Sequence, residues 1–266
     1  MEQELKLGFK LTGDPKGQPL CLIHGWGLDS SFLTPIAKMF PEHCIYLIDL
    51  PGYGESRSSE QSAYDFYTGV EALYNIIPEG ADVMAASLGS LFAIRALGRH
   101  QNPKAASLVT ICSSARFPCD PNWPGLSAEL FYRCRTLLTP RRCSRVLNLF
   151  VKMQLLDENH VVRDPKLMQL FEHYEVPSYQ TLISGINTAC FVDVREDLKN
   201  LKIPVLQLYG ARDRFVPASL TYALKGDDLR TSYIFANSGH NPYLTEPKLF
   251  EKVVRDFFDK VHNFLA

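Results

Sequence analysis

Short apolar blocks recur along the chain, each bounded by turn-forming residues. Pro19–Ile23, Cys44–Asp49, Val83–Ala86, Ala105–Cys112, Ile203–Tyr209 and Thr231–Ala236 have the length of buried strands, and Leu5–Thr12 reads as a first strand before the turn at residues 13–17. Between them the apolar positions fall at helical spacing. Ser31–Phe40, Tyr64–Ile77 and Pro247–Phe264 read as helices, and so does the run after Ser87, through Leu88, Leu91, Phe92, Ile94 and Leu97. Strand and helix alternate, which predicts an α/β fold: a mostly parallel sheet with helices on both faces. Ligand sites in such sheets lie at the carboxyl ends of the strands. The alternation stops between about Cys119 and Asn187, where helical patterns are broken by Pro121, Pro124, Pro140, Pro165 and Pro177. This predicts a helical cap inserted into the sheet domain, with core at residues 1–117 and 188–266 and cap at residues 118–187.

Composition narrows the class. The chain has 266 residues, 46% hydrophobic and 21% charged, with a formal net charge of −1, so no global pull toward nucleic acid or membrane is expected. No apolar run reaches the ~20 residues of a membrane span, and the first residues carry no leader-like apolar segment, so a cytoplasmic monomer is expected. The seven cysteines are odd in number and include no Cys-x-x-Cys pair. They read as reduced, mostly buried thiols rather than disulfides or a metal site.

Candidate chemistry sits at the predicted strand ends. In Ala85-Ala86-Ser87-Leu88-Gly89, small residues flank Ser87 two places either side, as a tight strand–turn–helix elbow needs. The usual pattern has Gly where this chain has Ala85, so the extra methyl group must fit. Asp213 follows the strand ending at Tyr209, and His240 follows the last strand. A serine hydroxyl needs a base beside it to act as a nucleophile. His240 suits that task, and Asp213 suits holding the imidazole. The N–H groups of Leu88 and Trp26 are the candidate oxyanion donors. Taken singly, Asp213 could be a turn former and His240 a surface residue. Their joint order after Ser87 favours catalysis. Asp193 and Asp197 are competing acids at the end of the cap, and His24 reads as structural.

Five stretches together resemble the α/β-hydrolase superfamily over essentially the whole chain: His24-Gly25-Trp26-Gly27-Leu28, Asp49-Leu50-Pro51-Gly52-Tyr53-Gly54, Ser87-Leu88-Gly89, Leu208-Tyr209-Gly210 with Asp213, and Tyr233-Ile234-Phe235-Ala236 with His240. Within it, the Trp26 loop and Asn122-Trp123-Pro124-Gly125-Leu126 resemble the pimeloyl-acyl-carrier-protein methyl ester esterases of biotin synthesis. The resemblance implies an α/β-hydrolase fold, a serine esterase without cofactor or metal, and an acyl-carrier protein as partner. It implies substrate contacts at Trp26, Ser87, Leu88 and His240 and at Phe150, Val151, Lys152, Met153 and Gln154 of the cap. Phe150 and Met153 read equally well as ordinary cap packing.

Charge gives an independent view of the partner. Arg133, Arg135, Arg141, Arg142, Arg145 and Lys152 occur with no acid from Phe131 to Lys152, a local charge of +6. If Arg141–Leu156 is one helix, Val146, Leu149, Phe150 and Met153 share its apolar face. Arg141, Arg145, Asn148 and Lys152 then share another, which is either a solvated surface or a dock for an acidic carrier protein. Other readings stay open: a general short-chain carboxylesterase, a carbon–carbon bond hydrolase, a lyase of menaquinone synthesis, or a non-catalytic binding protein on the same scaffold. The natural ester and its chain length are not readable from the sequence.

Overall fold

The computed structural model describes residues 5–57, 65–100, 104–155, 174–223 and 228–265. Seven strands form one sheet: β1 (Phe9–Gly13), β2 (Pro19–Ile23), β3 (Cys44–Ile48), β4 (Asp82–Ala86), β5 (Ser107–Ile111), β6 (Val205–Gly210) and β7 (Arg230–Phe235), in the spatial order β1-β3-β2-β4-β5-β6-β7. All pairings are parallel except β1 with β3. The apolar blocks are continuous because both faces of the sheet are covered. Cys21, Ile23, Val83 and Ala85 point into one core cluster, and their neighbours Leu20, Leu22 and Met84 point into the other.

Ten α-helices are described: α1 (Thr34–Ala37), α2 (Phe66–Ile76), α3 (Gly89–Gly98), α4 (Ala128–Leu137), α5 (Cys143–Leu155), α6 (Tyr179–Phe191), α7 (Arg195–Asn200), α8 (Leu220–Ala223), α9 (Pro242–Thr245) and α10 (Pro247–Leu265). Helices α2, α3 and α7 contribute to the first cluster, α1 and α10 to the second. Side-chain caps start several of them: Asp65 accepts from the Thr68 N–H, Ser127 from Leu130 and Ser178 from Thr181. No helix among the described residues is long and apolar enough to cross a membrane.

Four expectations need correction. The first strand begins at Phe9, not Leu5; Leu5 and Leu7 are buried, but the pairing with β3 starts at Phe9 opposite Ile48. The helix expected over Ser31–Phe40 is a 3-10 turn at Ser30–Leu33 followed by one turn of α1, with Pro35 at its start. The helix expected from Arg141 begins at Cys143. The Arg142 N–H closes a turn onto the Thr139 carbonyl at 2.8 Å, around Pro140, so Arg141 precedes α5. The end once placed at Leu156 lies outside the described residues. Nor is the α5 apolar face the expected one: Leu149 is 57% exposed, while Leu147, Val151 and Gln154 are buried.

The topology positions the site. β2 lies between β3 and β4, so the connections leaving its neighbourhood run in opposite directions across the sheet. That reversal opens a crevice beyond the carboxyl ends of β2 and β4. The Trp26 loop follows β2, and Ser87 follows β4.

Candidate active site

Ser87 occupies a left-handed backbone conformation, φ 48°, between β4 and α3. A non-glycine residue there is strained and must be held by its surroundings. Its N–H donates to the Ile111 carbonyl at 2.8 Å, and the Ser113 hydroxyl donates to the Ser87 carbonyl at 2.7 Å. The two flanking glycines permit close approach. A Cβ at Gly25 would lie 3.0 Å from the Ser87 Cβ, and one at Gly89 would lie 2.2 Å from the His24 carbonyl oxygen. The Ala85 methyl group, the departure from the usual elbow pattern, is fully buried in the core cluster.

His24 braces the loop after β2. Its Nε2 accepts the Leu50 N–H at 2.9 Å and its Nδ1 lies 2.8 Å from the Gly25 carbonyl, an arrangement that needs neutral imidazole with the proton on Nδ1. Burial holds its pKa below the ordinary imidazole value, against the pull of Asp49. The same loop is tied to the helical segment. The Trp26 indole donates to the Leu182 carbonyl at 2.8 Å, and the Tyr174 hydroxyl donates to the Gly27 carbonyl at 2.6 Å. From the core, Tyr53 Oη accepts the Gly27 N–H at 3.2 Å. Leu88 is the N-cap of α3, so its N–H has no partner within that helix.

Asp213 follows β6. One carboxylate oxygen accepts the N–H groups of Phe215 at 2.8 Å and Val216 at 3.2 Å; the other lies 2.8 Å from His240 Nδ1. Both side chains are nearly removed from solvent, at 0% and 4% exposure. A carboxylate at Nδ1 places the imidazole proton there and leaves Nε2 as the acceptor. The competing acids are engaged elsewhere: Asp193 pairs with Arg195 at 2.7 Å, and Asp197 with Arg95 at 2.7 Å.

Ser87 and His240 line one open cavity, with Trp26, Phe150 and Gln154 also in its wall. A run of ring contacts, Trp26–Phe150–Phe215–His240 at 4.8, 4.9 and 5.3 Å, joins the β2 loop to the imidazole. The remaining expected contacts are elsewhere. Leu88 lines a neighbouring cavity, Val151 packs with Leu28, Phe32 and Leu147, Met153 is half-buried outside the cavity wall, and Lys152 faces solvent. Arg141 and Arg145 are exposed.

Several lining residues had gone unremarked. Asn241 and Tyr243 lie one and three places after His240, and the Asn241 amide donates to Gln154 Oε1 at 3.0 Å. Phe215, two places after Asp213, is not a wall residue but packs its ring against His240. Cys112, also left-handed at φ 46°, donates its thiol to the Gly239 carbonyl at 3.6 Å. Its sulfur and donor atoms of Asp213 and His240 lie within 4.8 Å of one another, the one such trio among the described residues. Burial pushes this thiol well above the usual range, and the other two groups are bonded to each other, so the trio is poorly disposed to hold a metal.

Residues 22–253 match the family model described as "Alpha/beta hydrolase family". The chain belongs to the alpha/beta hydrolase family. This hydrolase is similar to the pimeloyl-[acyl-carrier protein] methyl ester esterase of Vibrio cholerae serotype O1, with 29% identity over 259 residues, 95% of this chain and 98% of that protein. The protein of the same description from Sodalis glossinidius is 32% identical over 251 residues, 92% and 94% of the two chains. Among solved structures, an esterase from Exiguobacterium antarcticum superposes with a TM-score of 0.82 at 19% identity, covering 94% of each chain, and so shares the fold.

Proposed function

We propose that this carboxylic ester hydrolase cleaves the methyl ester of a pimeloyl chain carried on acyl-carrier protein. The observation that carries the chemistry is the buried Asp213–His240 pair opening onto the same cavity as the strained Ser87. Similarity to the methyl ester esterases over nearly the whole chain supports the substrate. Ser87 attacks the ester carbonyl as His240 Nε2 takes its proton. The oxyanion is met by the N–H groups of Trp26 and Leu88. His240 returns the proton to the departing methoxide, which leaves as methanol. Water then adds to the acyl-enzyme with His240 again as base, freeing the carboxylate and Ser87. Asp213 holds the imidazole and stabilises its protonated form.

Within the segment 118–187, the described residues 118–155 and 174–187 serve as the cap over this site. Arg145 and Lys152 on α5, with Arg141 just before it, dock the acidic carrier protein; all three are exposed, and no acid occurs from Phe131 to Lys152. The enzyme works as a cytoplasmic monomer. The test is rescue of a biotin auxotroph that lacks its own methyl ester esterase. Wild type restores growth, and Ser87→Ala does not. Failure of wild type to rescue, with simple esters still hydrolysed, would favour a general short-chain carboxylesterase.

A further inference from the structure

Two non-glycine residues among those described adopt a left-handed backbone, Ser87 at φ 48° and Cys112 at φ 46°. The first is the proposed nucleophile. The second takes no part in the proposed reaction, yet it is fully buried and held in the same strained conformation. Strain of this kind persists only where the surroundings fix it, and it gathers at functional sites.

The end of β5 shows what fixes it. β5 pairs with β4 on one side and β6 on the other. Its last carbonyl, at Ile111, accepts the Ser87 N–H at 2.8 Å. The Cys112 N–H continues the ladder to the Leu208 carbonyl of β6, also at 2.8 Å. The next two side chains then reach different loops. The Cys112 thiol donates to the Gly239 carbonyl at 3.6 Å, one residue before His240. The Ser113 hydroxyl donates to the Ser87 carbonyl at 2.7 Å. The Gly239 carbonyl is itself seated closely on the end of β6, since a Cβ on Gly210 would lie 2.0 Å from its oxygen. The Cys112 sulfur also lies within 4.8 Å of donor atoms of both Asp213 and His240.

We propose that Cys112 and Ser113 are positioning residues that together set the gap between Ser87 and His240. The elbow follows β4 and the histidine follows β7, and β5 and β6 stand between those strands, so the sheet does not pair them directly. Proton transfer needs hydrogen-bond distance between the two groups, and a misplacement of about 1 Å can cost ~10²-fold in rate. Adjacent side chains on one strand end hold both loops, one through the thiol and one through the hydroxyl. Burial pushes the thiol well above its ordinary pKa, so it stays a neutral donor. This rests on the ester hydrolysis proposed above and adds to it how nucleophile and base are kept in register.

The test measures kcat and KM on a small methyl ester, with rates expressed per active site titrated by a fluorophosphonate, so that unfolded protein does not count. Cys112→Ala lowers kcat about tenfold and leaves KM little changed, and Ser113→Ala does the same. In the double variant the loss falls short of the product of the two, because both bonds hold one gap. Cys112→Ser, which keeps a donor, recovers most of the loss. Should Cys112→Ala fail to fold, Cys112→Gly removes the same donor in a residue at ease with a left-handed backbone. An unchanged kcat without the thiol, an equal loss in Cys112→Ser and Cys112→Ala, or fully multiplicative losses in the double variant overturns the positioning role. Absence of turnover by folded wild type would instead count against the ester hydrolysis on which it rests.

Discussion

The carboxyl edge of the sheet and the helices between β5 and β6 both wall the site, but they are held by different forces. At the sheet edge, each polar group is fixed by backbone. Ser87 is pinned through its own N–H and carbonyl, the Asp213 carboxylate takes two N–H groups, and His24 is bonded on both ring nitrogens. Across the crevice, α4 buries none of its residues and leaves Tyr132 70% and Leu137 50% exposed. There, Phe150 meets the Trp26 ring of the β2 loop edge-on, and Gln154 is held by a single amide bond to Asn241. The first arrangement suits groups that must not move during reaction. The second tolerates change, so substrate choice can vary there without disturbing the reacting groups.

The sharpest way to break this contrast is Asp213→Asn. The fold around β6 keeps its backbone bonds, but the imidazole loses the partner that fixes its tautomer, and kcat should fall by about 10⁴-fold with KM little changed. Steady-state rates on a small methyl ester check this; a loss under tenfold would mean that Asp213 is only a turn former. A smaller and selective effect is expected across the crevice. Reversing charge at Arg145 and Lys152 should raise KM for carrier-bound ester about tenfold and move the small methyl ester less than twofold. Equal effects on both substrates would show that α5 shapes the site rather than docking the carrier. The smallest effect concerns His24. Burial holds its folded pKa below the ordinary 6.5, so the unfolded chain takes up the proton first as pH falls. Stability is then lost progressively from pH 6.5 downward, toward the lowered folded value. Thermal midpoints between pH 7.5 and 5 should fall less steeply in His24→Gln than in wild type; parallel curves would remove His24 as the cause.

The same contrast explains what could be read in the sequence. Strands buried on both faces are continuous apolar blocks, and the candidate groups stand directly after them, so the places of Ser87, Asp213 and His240 were legible from local pattern. In the helical segment, pattern misled. Leu149 looks inward-facing by its spacing, but α5 buries the face that carries Leu147, Val151 and Gln154, and Leu149 is exposed. Gln154, which only the resemblance named, is buried in the cavity wall, and its amide meets Asn241 on a loop far away in sequence. Arg141 was placed on the helix because periodicity does not register that Pro140 sits in a closed turn. The unremarked Phe215, Asn241 and Tyr243 lie within three residues of Asp213 or His240, so reading the immediate neighbours of a candidate group would have found them.

The strand order has a consequence for the history of each molecule. The elbow at Ser87 belongs to β2 and β4, which pair through a connection within the first part of the chain. Asp213 and His240 arrive only when β6 docks on β5, with Leu108 opposite Val205 across the whole intervening segment. Long-range pairings of this kind form late and slowly during folding. A chain caught before that step carries a serine with no base and no anchor for one. On the mechanism proposed above, hydrolytic rate therefore waits for β6 and β7 to dock.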